Sequence, residues 1–370
     1  MSRILITGAR APVALDLARS LQVAGHEVHL ADVFKPRMLG GFSRHTYASP
    51  VDAPDAFSVD VARLNASLAP DLIIPLCEEV FHLARLARDR PLPLYAPAFD
   101  MLMRLHSKLA FNAWARGLGL DAPMTERVSL PVDPAVAEAS VFKPEFSRFG
   151  VQCYIRKIPQ EFKAICQNSN ANWLRQDYIA GEDLCFYALA QRGRLAAFAA
   201  YRSDWRTKGG ASYHFQPLDP ALSGRLRDIA ACLIAGGNLT GQIACDLRLD
   251  AEDRLWLIEC NPRATSGLHL LTHDPKALSR AFLTSEAPCL EAGPEPACVG
   301  LAMVLYGGPE ALRAGRTTQW RRDIAARDVL HGARLAALAD TIAHAAGAAL
   351  RGQDLARFLT RDIECNGWSD

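Results

Sequence analysis

The sequence predicts an α/β fold followed by an α+β fold: a parallel, doubly wound sheet over about residues 1–95, then a region built on antiparallel strands. Three observations predict it. Strand-like and helix-like runs alternate through the N-terminal part. Beyond Trp173 strands instead follow one another through short polar turns. A chain of 370 residues is also too long for one ordinary core.

The first run, Arg3 to Gly8, is a short apolar strand ending in glycine, and Ala11 to Ala24 continues with Val13, Leu17 and Leu21 at helical spacing. Val28 to Asp32 is a second strand, closing on an acid, and helix-like Asp60 to Leu68 leads into a third, Asp71 to Pro75. From Pro97 the texture changes. One long helix over Asp100 to Arg116 carries Lys108 and is stopped by Gly117 and Gly119. Ser140 to Pro144 is a strand with Lys143 near its end, where an ammonium can project into a cleft. A loop, 145–150, and a further strand, Trp173 to Ile179, come next. Leu184 to Ala190 and Leu195 to Tyr201 form a hairpin turned at Gln191 to Gly193. After about residue 290 the chain is alanine- and arginine-rich, with helical runs at Ala333 to Ala346 and Asp354 to Arg361. This C-terminal accessory region, 291–370, carries no legible chemistry; it packs on the core or contributes to a homodimer interface.

A formal net charge of +1 predicts no steering toward nucleic acid or an anionic membrane. The ten cysteines include no CxxC pair, which argues against a zinc knot and for buried free thiols in a reducing compartment. The first twenty residues lack a signal-peptide pattern and no apolar run reaches the ~18 residues of a membrane span, so the expected location is cytoplasmic. Gly8 after one strand and Asp32 at the end of the next suggest a dinucleotide site, but the G-x-G-x-x-G fingerprint is missing.

The most informative segment runs from Thr240 to Arg263. Two apolar strands joined by the polar turn Asp250 to Asp253 make a hairpin. On its second strand Glu259 and Asn261 are two residues apart and share a face. Pairing around the turn brings Asp246 close to Glu259. Two carboxylates and an amide oxygen converging among apolar neighbours repel and are poorly solvated unless a cation sits between them. Hard oxygen ligands without His or thiolate suit Mg²⁺, whose remaining ligands are usually waters and substrate phosphates.

Over about residues 1–290 the chain resembles the ATP-grasp superfamily, the fold of carboxylate-amine ligases and of the carbamoyl phosphate synthetase large subunit. The most specific motif is Asp246 followed by Glu259, Asn261, Pro262 and Arg263. The resemblance implies a pre-ATP-grasp domain over 1–95 and an ATP-grasp domain over 96–290, with a lid subdomain at about 107–178. It implies that Asp246, Glu259 and Asn261 hold Mg²⁺, with Mn²⁺ as a substitute, and that Arg263 stabilises the acyl phosphate or departing phosphoryl group. Lys108 and Lys143 match the residues aimed at the α- and β-phosphates of ATP. Gln176, Tyr178 and Ile179 fall in the hinge whose backbone meets the adenine edge. The ribose-binding carboxylate aligns with Asp183, or second with Glu182. The usual glycine-rich loop is replaced by 145–150, where Arg148 either supplies charge to the phosphates or is solvated. Arg202 to Gly210, with Arg206 and Lys208, is either a flap over phosphate or a long surface loop. Ser266 and His269 lie where the family often contacts the acceptor carboxylate.

The implied activity is ATP-dependent activation of a small-molecule carboxylate for attack by an amine, or by a thiol, with release of ADP and phosphate. Kinase-like phosphoryl transfer to a small molecule is the alternative, and an NAD-dependent oxidoreductase a third.

Overall fold

The computed structural model describes residues 1–148, 152–169, 171–207 and 210–368. The first sheet has the order β3-β2-β1-β4, all parallel, from β1 (Arg3–Thr7), β2 (Glu27–Asp32), β3 (Ser43–Thr46) and β4 (Leu72–Pro75). Helix α1 (Pro12–Val23) connects β1 to β2, α2 (Pro54–Leu68) connects β3 to β4, and α3 (Glu79–Asp89) follows β4. Alternation along β1 sends Ile4 and Ile6 into the cluster containing α1, and Leu5 toward Phe57 and Leu64 of α2. Both faces are buried, as a parallel sheet requires.

Gly8 leaves β1 at φ +62°, and a Cβ there would lie 2.5 Å from the Glu79 carboxylate. Glu79 is fully buried, taking hydrogen bonds from the Thr7 hydroxyl at 2.8 Å and the Leu76 and Cys77 amides at 3.1 Å. Burial, then the nearby charge of Asp32, push its pKa up to about 7 from an ordinary 4.5. A carboxyl with a raised native pKa adds stability below about pH 4.5, and that contribution is lost as the pH rises through about 7. Chemical denaturation of the native chain is therefore expected to show about 3 kcal/mol lost between pH 5 and 8.5 from this group. The Glu79→Gln variant should lack that slope; an unchanged slope would refute the assignment.

The expected single helix over residues 100–116 is two, α4 (Phe99–His106) and α5 (Lys108–Gly117). Ser107 between them is extended at ψ 115°, and its hydroxyl accepts from the Ala110 amide as the N-cap of α5 while donating to the Glu145 carboxylate. The break starts α5 afresh at Lys108.

A small antiparallel sheet follows, order β5-β8-β6-β7, from β5 (Thr125–Arg127), β6 (Ser140–Pro144), β7 (Tyr154–Ile155) and β8 (Trp173–Asp177). Two short helices, α6 (Pro134–Glu138) and α7 (Phe162–Asn168), complete this unit around Phe142, Phe162 and Trp173.

The large sheet runs β13-β12-β9-β10-β11-β15-β16. Its strands are β9 (Glu182–Gln191), β10 (Arg194–Arg202), β11 (His214–Pro217), β12 (Gly241–Leu249), β13 (Leu255–Asn261), β14 (Leu290–Glu291, beside β10), β15 (Ala297–Cys298) and β16 (Arg327–Asp328). The β9–β10 hairpin turns at Arg192 and Gly193, both at positive φ (49° and 75°), the type I′ geometry that matches strand twist. Helices α5 and α8 (Pro220–Gly236) cover one face through Phe111, Ala115, Leu226 and Leu233. The other face meets the N-terminal sheet and α9 (Pro275–Leu283). Strands β15 and β16 lie beyond residue 290 and extend this same sheet. Helices Arg334–Leu350 and Leu355–Thr360 follow. Among the described residues no helix is long and apolar enough to cross a membrane.

Candidate nucleotide cleft

Strands β12 and β13 pair with Asp246 directly opposite Glu259 and then shift register, so that Leu247 faces Leu257 and Ile258 is the extra residue. The bulge decides what Glu259 does. In regular alternation Glu259 would share the core face of Leu257; the added residue turns Ile258 and Glu259 to the cleft and returns Cys260 to the core. Asn261, two residues on, shares the cleft side, and its amide lies 3.4 Å from Asp246.

Two lysines from other elements converge on Glu259. Lys108 opens α5 and Lys143 ends β6; their ammonium groups lie 3.6 and 3.5 Å from Glu259 Oε2. Both lysines are buried. Lys108 also donates to the backbone carbonyls of Glu145 and Ser147, at 3.3 and 3.2 Å. Burial alone would raise the pKa of Glu259, but Lys108 and Lys143 outweigh it and hold the carboxyl below its usual range. Among the described residues no lysine pairs with Asp246. Burial, then repulsion from Glu259, raise its pKa, although the Cys185 thiol donates to it at 3.0 Å. A carboxylate held up in this way has less positive charge beside it than its ionised form needs, and Asp246, Glu259 and the Asn261 oxygen are the hard donors Mg²⁺ takes.

Beside these acids is a cavity of about 170 Å³ lined by Val141, Lys143, Ile155, Asp183, Arg206, Asp246, Ile258 and the strand-end residues 176–179. Gln176 donates from its buried side chain to Thr125 Oγ1 and to the Ile258 carbonyl, tying the small sheet to the bulge. Tyr178 lies under the guanidinium groups of Arg156 and Arg248, and the Ile179 carbonyl accepts from Arg248 at 2.9 Å. Asp183 lines the cavity, 2.9 Å from Arg248 Nε. Glu182, one residue earlier, instead pairs with Arg202 at 3.3 Å.

Other residues singled out in the sequence lie elsewhere. Arg148 turns away from the cavity to Glu78, Glu364, the Cys365 carbonyl and Asn366. His269 is buried against α1, 2.8 Å from Asp16 and stacked on Phe215. Ser266 opens the same 3₁₀ segment, Ser266–Leu271. Of the loop at 145–150, Phe149 and Gly150 lie outside the described residues, as do Lys208 and Gly209 of the flap segment.

The arrangement includes a residue that sequence reasoning passed over. Glu78 follows β4 at the point where strand order reverses between β1 and β4, the position at which open α/β sheets gather functional groups. It is buried, pairs with Arg148 and lies 3.9 Å from Arg263. Burial would raise its pKa, but Arg148, His106 and Arg263 hold it down at about 2. An acid directly after a parallel strand was the available signal. Arg263 in turn reaches Asn261 Oδ1 at 3.3 Å, linking Glu78 to the acidic hairpin.

The crevice beyond Gly8 is filled by the chain itself. Arg10 pairs with Asp32 and Asp362 and donates to the Leu359 carbonyl, the Ser49 hydroxyl donates to the Asp362 carbonyl, and the Cys365 amide donates to Glu78. Asp32 is fully buried and also takes the Arg10 and Val33 amides, so it does not present a free carboxylate to a ribose hydroxyl.

No protein-family model matches the sequence, and no curated protein matches it. Solved structures do. N5-carboxyaminoimidazole synthetase from Staphylococcus aureus, complexed with ADP, aligns over 85% of this chain and 86% of its own, at TM-score 0.65 and 13% identity. The biotin carboxylase domain dimer of Hydrogenobacter thermophilus 2-oxoglutarate carboxylase, in complex with MgADP, ADP and bicarbonate, aligns over 78% and 71%, at 0.62 and 14%. L-amino acid ligase from Bacillus licheniformis aligns over 76% and 74%, at 0.58 and 13%. At such identities the likeness is one of fold, and the chain has the ATP-grasp fold that these ligases share.

Proposed function

We propose that the cleft binds ATP with Mg²⁺ and activates a small-molecule carboxylate as its acyl phosphate, which an amine then attacks, with release of ADP and phosphate. The observation that carries this reading is the pairing of Asp246 with Glu259 across a bulged hairpin, with two buried lysines on Glu259. The fold is that of ligases whose solved complexes hold ADP, in one case as its magnesium salt.

In this reading the cavity between Val141, Ile155 and Ile258 takes the adenine, Gln176 to Ile179 line its edge, and Asp183 takes the ribose. Lys108 and Lys143 neutralise the phosphates. Asp246, Glu259 and Asn261 would hold the metal, whose charge screens the phosphate oxygens and draws electron density from the transferring group. Arg263, which contacts Asn261 and Glu78, would stabilise charge at the reacting centre. A carboxylate becomes a good electrophile only once an oxygen is phosphorylated, so catalysis here is positioning and charge neutralisation.

The test is release of ADP and phosphate with magnesium across a panel of amino and organic acids, with and without added amines. Phosphate release that requires both an acid and an amine is expected. Stable transfer of the phosphoryl group to a hydroxyl would identify a kinase instead. A complementary measurement concerns Asp246: because its carboxyl is raised, binding of Mg²⁺ is expected to displace a proton in mildly acidic solution and to weaken as the pH falls. The Asp246→Asn variant should lose magnesium-dependent ADP binding; retention at native affinity would remove Asp246 from the site.

A further inference from the structure

Arg206 lines the cavity beside Asp183 and Asp246, and its donors are not all used. Its Nε donates to the Ser203 carbonyl at 3.3 Å and Nη1 lies 3.8 Å from Asp183, which is held more closely by Arg248. Nη2 is buried and, among the described residues, has no hydrogen-bond partner. A guanidinium with an unmatched buried donor, beside one carboxylate that a cation would take over and another already held by Arg248, calls for an anion with several oxygens.

The residue before it points the other way. Trp205 is fully buried, and its indole N–H donates to Asp323 at 2.8 Å. The Arg316 guanidinium lies over the indole, 4.4 Å from the ring centroid. Arg316 also donates to the Asp204 carbonyl and Gln319 to the Asp204 carboxylate, at 3.2 and 3.1 Å. A backbone bridge from Arg206 to Ser212 keeps this stretch extended, so that one side chain is anchored while the next reaches the cavity. The polar side chains that anchor it, Arg316, Gln319 and Asp323, belong to helix Thr317–Asp323 and the residue before it, in the region whose sequence carries no legible chemistry.

We propose that this C-terminal helix is a positioning element for the nucleotide site: Asp323 fixes the Trp205 indole, and Trp205 fixes Arg206 so that it meets the phosphates. The inference rests on the ATP reading above. Asp323 is thereby a positioning residue that never touches the ligand.

The test is a double-mutant cycle read by fluorescence titration with N-methylanthraniloyl-ADP and magnesium, alongside thermal unfolding of each protein. Arg206→Ala is expected to weaken binding about tenfold, as loss of a charge-assisted contact does. Asp323→Ala should weaken it by a similar factor, and the double variant should bind no more weakly than Arg206→Ala. Asp323→Asn, which keeps an accepting oxygen for the indole, should restore affinity to within about twofold. Should Asp323→Ala not fold, Gln319→Ala, which releases both the Asp204 carboxylate and the Arg316 guanidinium that lies over Trp205, takes its place in the cycle. Effects that multiply in the double variant, or native affinity in either single variant, overturn the inference and leave the ATP reading standing. An intact chain that binds no ADP analogue overturns both.

Discussion

Glu259→Gln is expected to reduce magnesium-dependent ATP turnover by about 10³-fold or more, since it removes a metal-binding oxygen and unbalances both phosphate-facing lysines together. The fold is expected to lose stability as well, because Glu259 is the shared counterion of Lys108 and Lys143. Removing one partner of a buried ion pair leaves charge uncompensated, which typically costs 3–5 kcal/mol. Glu259 keeps 26% side-chain exposure, so roughly 2 kcal/mol is the expected loss without nucleotide. Bound ATP, which offers the lysines other oxygens, should recover part of it. Phosphate release and urea midpoints with and without MgADP measure both effects, and native turnover with magnesium present would defeat the site assignment.

Glu78→Gln is expected to cost about 3 kcal/mol at pH 7, because the Arg148 guanidinium loses its closest partner in a site only 5–11% exposed. The pH dependence fixes the cause. A carboxyl held at about 2, against 4.5 when unfolded, contributes stability above about pH 4.5 that disappears as the pH falls toward 2. The urea midpoints of native and variant chains should therefore be far apart at pH 7, with the gap more than halved by pH 3 and still narrowing toward pH 2. A gap independent of pH would mean that packing, not the ion pair, is what the substitution removed. Turnover should fall as well, since Arg263 loses the group that turns it toward Asn261.

These two residues also mark what was legible in the sequence. Glu259 could be found because its partners in the hairpin are close along the chain and its acidity stands out between Ile258 and Cys260. The alternation of strands and helices, the hairpins, and an acidic pair facing across one of them all follow from periods of two or 3.6 residues and from turn chemistry. Glu78 could not be found that way, because its partners Arg148 and Cys365 are 70 and 287 residues distant. Arg148 shows the same limit: its place after Lys143 suggested phosphate, but the groups that claim it are Glu78 and residues beyond 360. The break at Ser107 escaped because the helical periodicity continues through it, and only the tertiary contact to Glu145 distinguishes a cap from a helix interior.

The segment that fills the crevice beyond Gly8 has a kinetic meaning. Asp362 reaches Arg10 across 352 residues and Cys365 reaches Arg148 across 217. Contacts so distant raise contact order and form only after the sheets they bridge exist, which delays them in folding. Their closure entropy grows only logarithmically with chain length, so lateness carries a small equilibrium penalty. Residues 361–368 of this segment belong to no helix or strand and are held through buried Ile363 and Cys365 and through Trp368, which packs on His82 and Phe99. Sub-global opening is thus expected to begin there, with amide exchange at Cys365 faster than in β1 or β12.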